Sequence, residues 1–285
     1  MPTLTSAALL DQLRADVRGQ PTLPALSGER YARTHAAYEA ASDQRSKLQT
    51  WLCSELPPLL AGRDPVRVTG VGVGDGSIDA PLARALAASG RQVHYTGIEP
   101  HAPSAAAFAG RLAALDAPGL RPTTVTSDFA NHDAHHPVDL LHFVHSLYYV
   151  ADLTATLDHA LSMLRPGGLL LAATAPSEPL CVLTELLCPW DGRGPWFAED
   201  VRAELDGRGL DVRSETIVGH LDVREAVADP LGRGQVILDF LVGARTSAMQ
   251  PATRERLVDC LRDMFLPGRP GVVPHPVDIT IARAP

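Results

Sequence analysis

The sequence predicts an α/β fold: a doubly wound, mostly parallel sheet of seven strands with a helical cap. Three observations predict it. Apolar strand-like runs alternate with helical stretches between residues 65 and 174. A glycine cluster joins the first run to the first helix. Toward the C-terminus the alternation lapses and then resumes.

Residues 1–60 read as helical, with Tyr31, Tyr38, Leu48, Trp51, Leu52 and Leu56 near helical spacing and Pro57 and Pro58 closing the stretch. "PVRVTGVGVGDGSIDAPLARALAASG" is a β-rich run, a glycine cluster and a helix. "QVHYTGIEP" is a short strand ending at Glu99, and "SAAAFAGRLAALD" a helix. "RPTTVTSDF" is a strand and "VDLLHFVHS" a buried one. A helix over 152–164 and a strand over 168–174 complete the alternating series. "AEDVRAELDGRG" and "LDVRSETIVG" resume it, and "PVDITIAR" supplies the last strand. The expected core is therefore 60–174 with 198–220 and 273–285. The segments 1–59, 175–197 and 221–272 form the cap, the last as an irregular, partly helical insertion.

The composition suits a globular enzyme or binding protein: 285 residues, 45% hydrophobic and 20% charged. Net charge is −8 and no basic run occurs, which argues against a nucleic-acid partner. No apolar run approaches the roughly 20 residues of a membrane span. The N-terminus lacks a basic region and a long apolar core, so a cytoplasmic location is expected. Cys53, Cys181, Cys188 and Cys260 are scattered without a CxxC, which predicts free thiols. "NHDAHHP" (His132, Asp133, His135, His136) has no standard zinc spacing, and no metal is expected.

In "VTGVGVGDG", Gly70, Gly72, Gly74 and Gly76 alternate. Glycine lets backbone approach a ligand closely, and a strand–loop–helix unit makes a nucleotide cradle. The dinucleotide fingerprint GxGxxG fails in both registers, meeting Asp75 from Gly70 and Ser77 from Gly72, which disfavours an NAD-dependent oxidoreductase. The GxGxG form, with Glu99 at the end of the next strand, "SDF" after the third and "LRPGGLLL" before the fifth, resembles class I S-adenosylmethionine-dependent methyltransferases. The resemblance implies a Rossmann-like fold, S-adenosylmethionine as cofactor and S-adenosylhomocysteine as product. It implies that Glu99 accepts hydrogen bonds from the ribose hydroxyls and that Asp128, with Phe129, meets the adenine edge. Gly70, Gly72, Gly74, Pro100, Ser104, Val144 and His145 complete the implied cofactor set. One departure stands out. The family often has an acidic residue two before the first loop glycine, and this chain has Gly70, so another group must do that work.

From Tyr31 onward the chain resembles the histamine N-methyltransferase-like family. The resemblance rests on "SIDAPLARAL", "GIEPHAPSAAAF", "HSLYYVADLTATL", "FAEDVRAELDGRGLDV" and "VILDFLVG". It implies that Tyr148 and Tyr149 wall an aromatic pocket where methyl donor and acceptor meet. Where that family holds its substrate with Glu, Gln and Asn, this chain offers Gln44, His145 and His275. A pocket without the carboxylate holds a protonated amine less well. His145 is the first candidate base or orienting group, His275 the second, and Tyr149 the third catalytic candidate. "YARTHAAYEAAS", with Tyr31, either closes the same pocket from the N-terminal side or packs on the sheet as an amphipathic helix, and Trp190 and Trp196, flanking "DGRGP", either form a lid over the acceptor or anchor a surface loop to the core. The expected reaction is methyl transfer to a nitrogen, amine or imidazole, of a small molecule. The alternatives are O-methylation of a small aromatic metabolite with a histidine base, and a non-catalytic S-adenosylmethionine-binding protein.

Overall fold

The computed structural model describes residues 6–18, 20–88, 90–133, 136–190 and 194–285. The first half of the chain runs α1 Ser6–Val17, α2 Gly28–Ala40, α3 Gln44–Leu59, β1 Val66–Val71, α4 Asp79–Ala87, β2 Val93–Ile98, α5 Ala102–Ala113, β3 Leu120–Val125 and β4 Val138–Val144. It continues with α6 Leu153–Ser162, β5 Leu164–Thr174, α7 Pro179–Leu187, α8 Ala198–Asp206, β6 Asp211–Ile217 and β7 His220–Asp222. Then come α9 Arg224–Ala228, α10 Gln235–Leu241, α11 Pro251–Asp263, β8 Val272–Pro274 and β9 Val277–Arg283. The chain divides into two compact units: an α/β unit of residues 46–176, 196–217 and 277–285, and a helical unit of residues 1–45, 177–195 and 218–276.

The α/β unit is built on a seven-stranded sheet in the order β3-β2-β1-β4-β5-β9-β6. β1 to β5 pair in parallel, and β9 runs antiparallel to both β5 and β6. Strand order reverses between β1 and β4, where open α/β sheets leave a ligand crevice at the strands' carboxyl ends. Alternation within β4 and β5 sends Leu140, Leu169 and Leu171 into one core layer and Leu141, Phe143 and Leu170 into the other. Leu48, Leu52 and Leu56, one helical turn apart on α3, cover the first layer, and Leu153 and Leu157 of α6 with Val201 and Leu205 of α8 cover the second.

Several boundaries differ from those read off the sequence. Most of α3, expected in the cap, belongs to the α/β unit because its leucine stripe packs on the sheet. Pro57 and Pro58 lie inside its last turn, where the Arg91 guanidinium caps the carbonyls of Leu60 (2.9 Å) and Pro57 (3.4 Å). β5 begins at Leu164, so the Pro166-Gly167-Gly168 turn is a bulge within the strand: Val138 pairs with Leu164, and Leu140 already with Leu169. At its base the buried Asp139 carboxylate accepts Arg165 Nη1 (2.7 Å) and the Arg67 N–H (2.8 Å), so the charge is paired.

The helical unit has its own core, formed by α1, α7, α10 and α11 around the antiparallel β7–β8 pair. The segment expected to be irregular contains α11, whose buried Thr253, Leu257, Val258, Cys260 and Leu261 fall on one helical face. Asp239 of α10 is fully buried; Arg30 holds it in an ion pair, and the Thr246 N–H (2.8 Å) and hydroxyl (2.7 Å) donate to it. Residues 273–276, expected in the core, belong here because β8 pairs with β7.

Candidate active site

The loop after β1 turns through Gly72, Gly74 and Gly76, all with positive φ. Gly72 has no substitute: φ is +67°, and a Cβ there would lie 2.5 Å from the Ser146 Cβ. Ser146 donates to the Val71 carbonyl at 2.7 Å and so ties the end of β4 to the end of β1. Gly72→Ala is expected to cost about 2 kcal/mol of stability, through backbone strain and overpacking; a urea midpoint checks it. Gly70, expected among the ligand contacts, is a buried β1 residue packed against the His142 ring.

Glu99 follows β2 and is buried, with both oxygens oriented by backbone. Oε2 accepts the Gly74 N–H and Oε1 the His101 N–H, each at 2.9 Å. An ionised carboxylate offers about four acceptor positions, so each oxygen keeps one for a ligand hydroxyl. Pro100 next to it is exposed, and the Ser104 hydroxyl lies 2.9 Å from His101 Nδ1. After β3, Asp128 is exposed, while the Phe129 ring packs edge-on against Phe143 in the core. That leaves the Phe129 main chain for any contact with a ligand.

β4 ends at Val144, which is partly buried, and the next residue is strained. His145 has φ of 53°, the sole positive φ outside glycine among the described residues. Its N–H bonds to the Ala173 carbonyl at 2.9 Å. Its Nδ1 lies 3.1 Å from the Tyr148 hydroxyl oxygen, which accepts the Ala175 N–H at 2.6 Å. The two rings are nearly parallel, and Tyr149 stands across Tyr148 with 72% of its surface exposed. The indole N–H of Trp196 donates to the Val150 carbonyl at 3.1 Å, which anchors that side chain. Sequence reasoning singled out His145, Tyr148 and Tyr149, which the structure does bring together; it missed Ser146 and the Ala175 N–H, which hold them in place.

Tyr31, Gln44, Trp190 and His275 all lie in the helical unit. Gln44 Nε2 donates to the carbonyls of His275 (3.0 Å) and Pro276 (2.8 Å), so its amide braces the chain leading into β9. The Ser42 hydroxyl accepts the Gln44 N–H (3.1 Å) and lies 2.7 Å from His275 Nδ1. Nε2 lies 3.3 Å from the Tyr38 hydroxyl. Both nitrogens of His275 are thus engaged, and its close packing pushes its pKa down to about 4 despite a partial pull upward from Asp43. It is a neutral, bonded ring rather than a poised base. Tyr31 is 41% exposed and stacks on His35, and the Trp190 indole nitrogen is buried without a hydrogen-bond partner among the described residues. Part of the "DGRGP" lid segment, residues 191–193, and His135 of "NHDAHHP" lie outside the described residues. Among the described residues no group of three His, Cys, Asp or Glu could hold a metal, and no helix is long and apolar enough to cross a membrane.

A model of the methyltransferase domain family matches residues 44–216, which include the glycine loop, Glu99 and the Tyr148–Tyr149 pair. The chain belongs to this methyltransferase family. The methyltransferase is 23% identical over 256 residues to histamine N-methyltransferase of Danio rerio, covering 82% of this chain and 87% of that one. It is 26% identical over 238 residues to histamine N-methyltransferase A of Xenopus laevis, covering 74% and 79%. Its architecture matches the N-methyltransferase NodS of Bradyrhizobium japonicum, solved with S-adenosylhomocysteine, at a TM-score of 0.51 and 14% identity, across 90% of this chain and all of that one. The fold is that of class I methyltransferases, and the enzyme's cofactor is S-adenosylmethionine. The residues present fit it: a loop of positive-φ glycines lies beside a buried carboxylate with free acceptor positions. When bound, S-adenosylmethionine supplies a methyl group on an electron-poor sulfonium.

Proposed function

We propose that this methyltransferase methylates a nitrogen, amine or imidazole, of a small molecule, with His145 as the group that handles the acceptor's proton. The observation that carries the reading is the strained His145 at the end of β4, its ring steered by a tyrosine that the Ala175 N–H holds in place. Backbone in a sparsely populated region persists where the surroundings impose it, and such residues cluster at reactive sites. The likeness to two histamine N-methyltransferases supports nitrogen as the acceptor atom.

In this reading His145 Nδ1–H donates to the Tyr148 oxygen, so Nε2 carries no hydrogen. Nε2 takes the proton that the acceptor nitrogen must shed, and the freed lone pair becomes the nucleophile. Positioning supplies most of the remaining acceleration, and Tyr149, exposed beside Tyr148, offers an aromatic face to the acceptor. Glu99 and the glycine loop hold the cofactor's sugar.

The test is product analysis over a panel of amines, imidazoles and phenols, by mass and by NMR position of the new methyl. Methylation at nitrogen is expected, with turnover falling at low pH as the base becomes protonated. Methylation confined to phenol oxygen would replace this reading with the O-methyltransferase one. Transfer to none of the panel would overturn the small-molecule assignment.

A further inference from the structure

Three polar side chains are buried together beneath the glycine loop, all within the α/β unit. Tyr95 of β2 donates its hydroxyl hydrogen to Asp79 Oδ1 at 2.8 Å. The Tyr95 hydroxyl oxygen lies 2.8 Å from His142 Nε2, on β4. A hydroxyl has one hydrogen to give. Tyr95 gives it to Asp79, so His142 carries its own on Nε2 and donates to the Tyr95 oxygen. Burial lowers the His142 pKa to about 4, so the ring is neutral near pH 7. Its Nδ1 is then a bare acceptor, buried and without a partner among the described residues.

A buried unpaired acceptor is destabilising, so the ring's placement needs a reason. The contacts at both ends of the loop supply one. A Cβ on Gly70 would lie 2.8 Å from His142 Cε1 and Nε2 and 2.7 Å from Val73 Cγ1, so the ring fills the space beside the chain as it leaves β1. Asp79 is the first residue of α4, where the chain leaves the loop. Both ends of the loop are therefore referred, through one hydroxyl, to β2 and β4. Between them lies Gly74, whose N–H orients Glu99.

We propose that Asp79, Tyr95 and His142 form a positioning clamp that holds the glycine loop in its cofactor-binding path, with Gly70 kept side-chain-free so that the His142 ring can reach Tyr95. None of the three is a catalytic residue, because the clamp acts through the loop.

Tyr95→Phe removes one oxygen and keeps the ring. Titration calorimetry of the cofactor-free protein with S-adenosylhomocysteine is expected to show binding weakened roughly 10-fold, the scale of one lost buried hydrogen bond. KM for S-adenosylmethionine should rise in parallel, with kcat at saturation within about twofold, the pattern of lost binding rather than lost chemistry. A variant with a lowered Tm and wild-type affinity would reduce the cluster to a stability element and overturn the proposal. Should Tyr95→Phe not fold, Gly70→Ala carries the test. It keeps all three polar side chains but crowds the His142 ring and Val73, so a similar weakening is expected; wild-type affinity in that variant would also overturn the proposal. Nitrogen-15 NMR of the histidines gives an independent reading: His142 should show hydrogen on Nε2 at neutral pH, and hydrogen on Nδ1 would contradict the clamp.

Discussion

Glu99→Ala is expected to weaken S-adenosylhomocysteine binding by about 100-fold or more. Two effects combine. Hydrogen bonds to a charged group contribute roughly 1.5–3 kcal/mol each, and a sugar diol would make two of them. The carboxylate also accepts the Gly74 and His101 N–H groups, so its removal releases the loop as well as the ligand. Calorimetry measures this without turnover, and a dissociation constant equal to that of the wild type would sink the role given to Glu99. Glu99→Gln is the informative companion. The amide oxygen can keep one backbone N–H, but the amide nitrogen cannot accept the other, so binding should fall between the two.

The second large effect is on rate. His145→Ala is expected to lower kcat by about 100- to 10,000-fold, the range of a positioned acid–base group, while the affinity for S-adenosylhomocysteine stays within about threefold. The two readouts are expected to separate because the His145 ring is held by Tyr148, while Glu99 is held by the N–H groups of Gly74 and His101. His145→Gly sharpens the test. Glycine is content at φ of 53°, so this variant removes the imidazole and the strain together and should fold at least as stably as His145→Ala. Equal loss of kcat in both variants assigns the effect to the ring. Undiminished turnover in either would rule out its catalytic role.

The parts legible in the sequence were those whose meaning is local. Gly72, Gly74 and Glu99 fall within one strand–loop–helix–strand unit, and the resemblance to class I methyltransferases picked them out together. His145 and the tyrosine pair lie within five residues of each other. Contacts across the fold were less accessible. Asp79, Tyr95 and His142 come from α4, β2 and β4, and a histidine inside "VDLLHFV" carries no pattern to distinguish it from a packed core residue. Gln44 was read as a ligand contact, because nothing in its neighbourhood announces that two carbonyls some 230 positions later will occupy its amide. The helical unit was hard to read for another reason. In α11 the buried positions are filled by Thr253 and Cys260 as well as aliphatic residues, which blurs the periodicity. Gly70 was expected among the ligand contacts because alternation alone cannot say where a strand stops; β1 runs through Val71.

The polypeptide passes between its two compact units five times, at residues 45/46, 176/177, 195/196, 217/218 and 276/277. Each unit is therefore sewn together from three separate stretches of gene, and no terminal truncation yields either one intact. Anyone wishing to exchange the helical unit for another must replace three passages at once, while leaving alone the last nine residues, which carry the strand that completes the sheet.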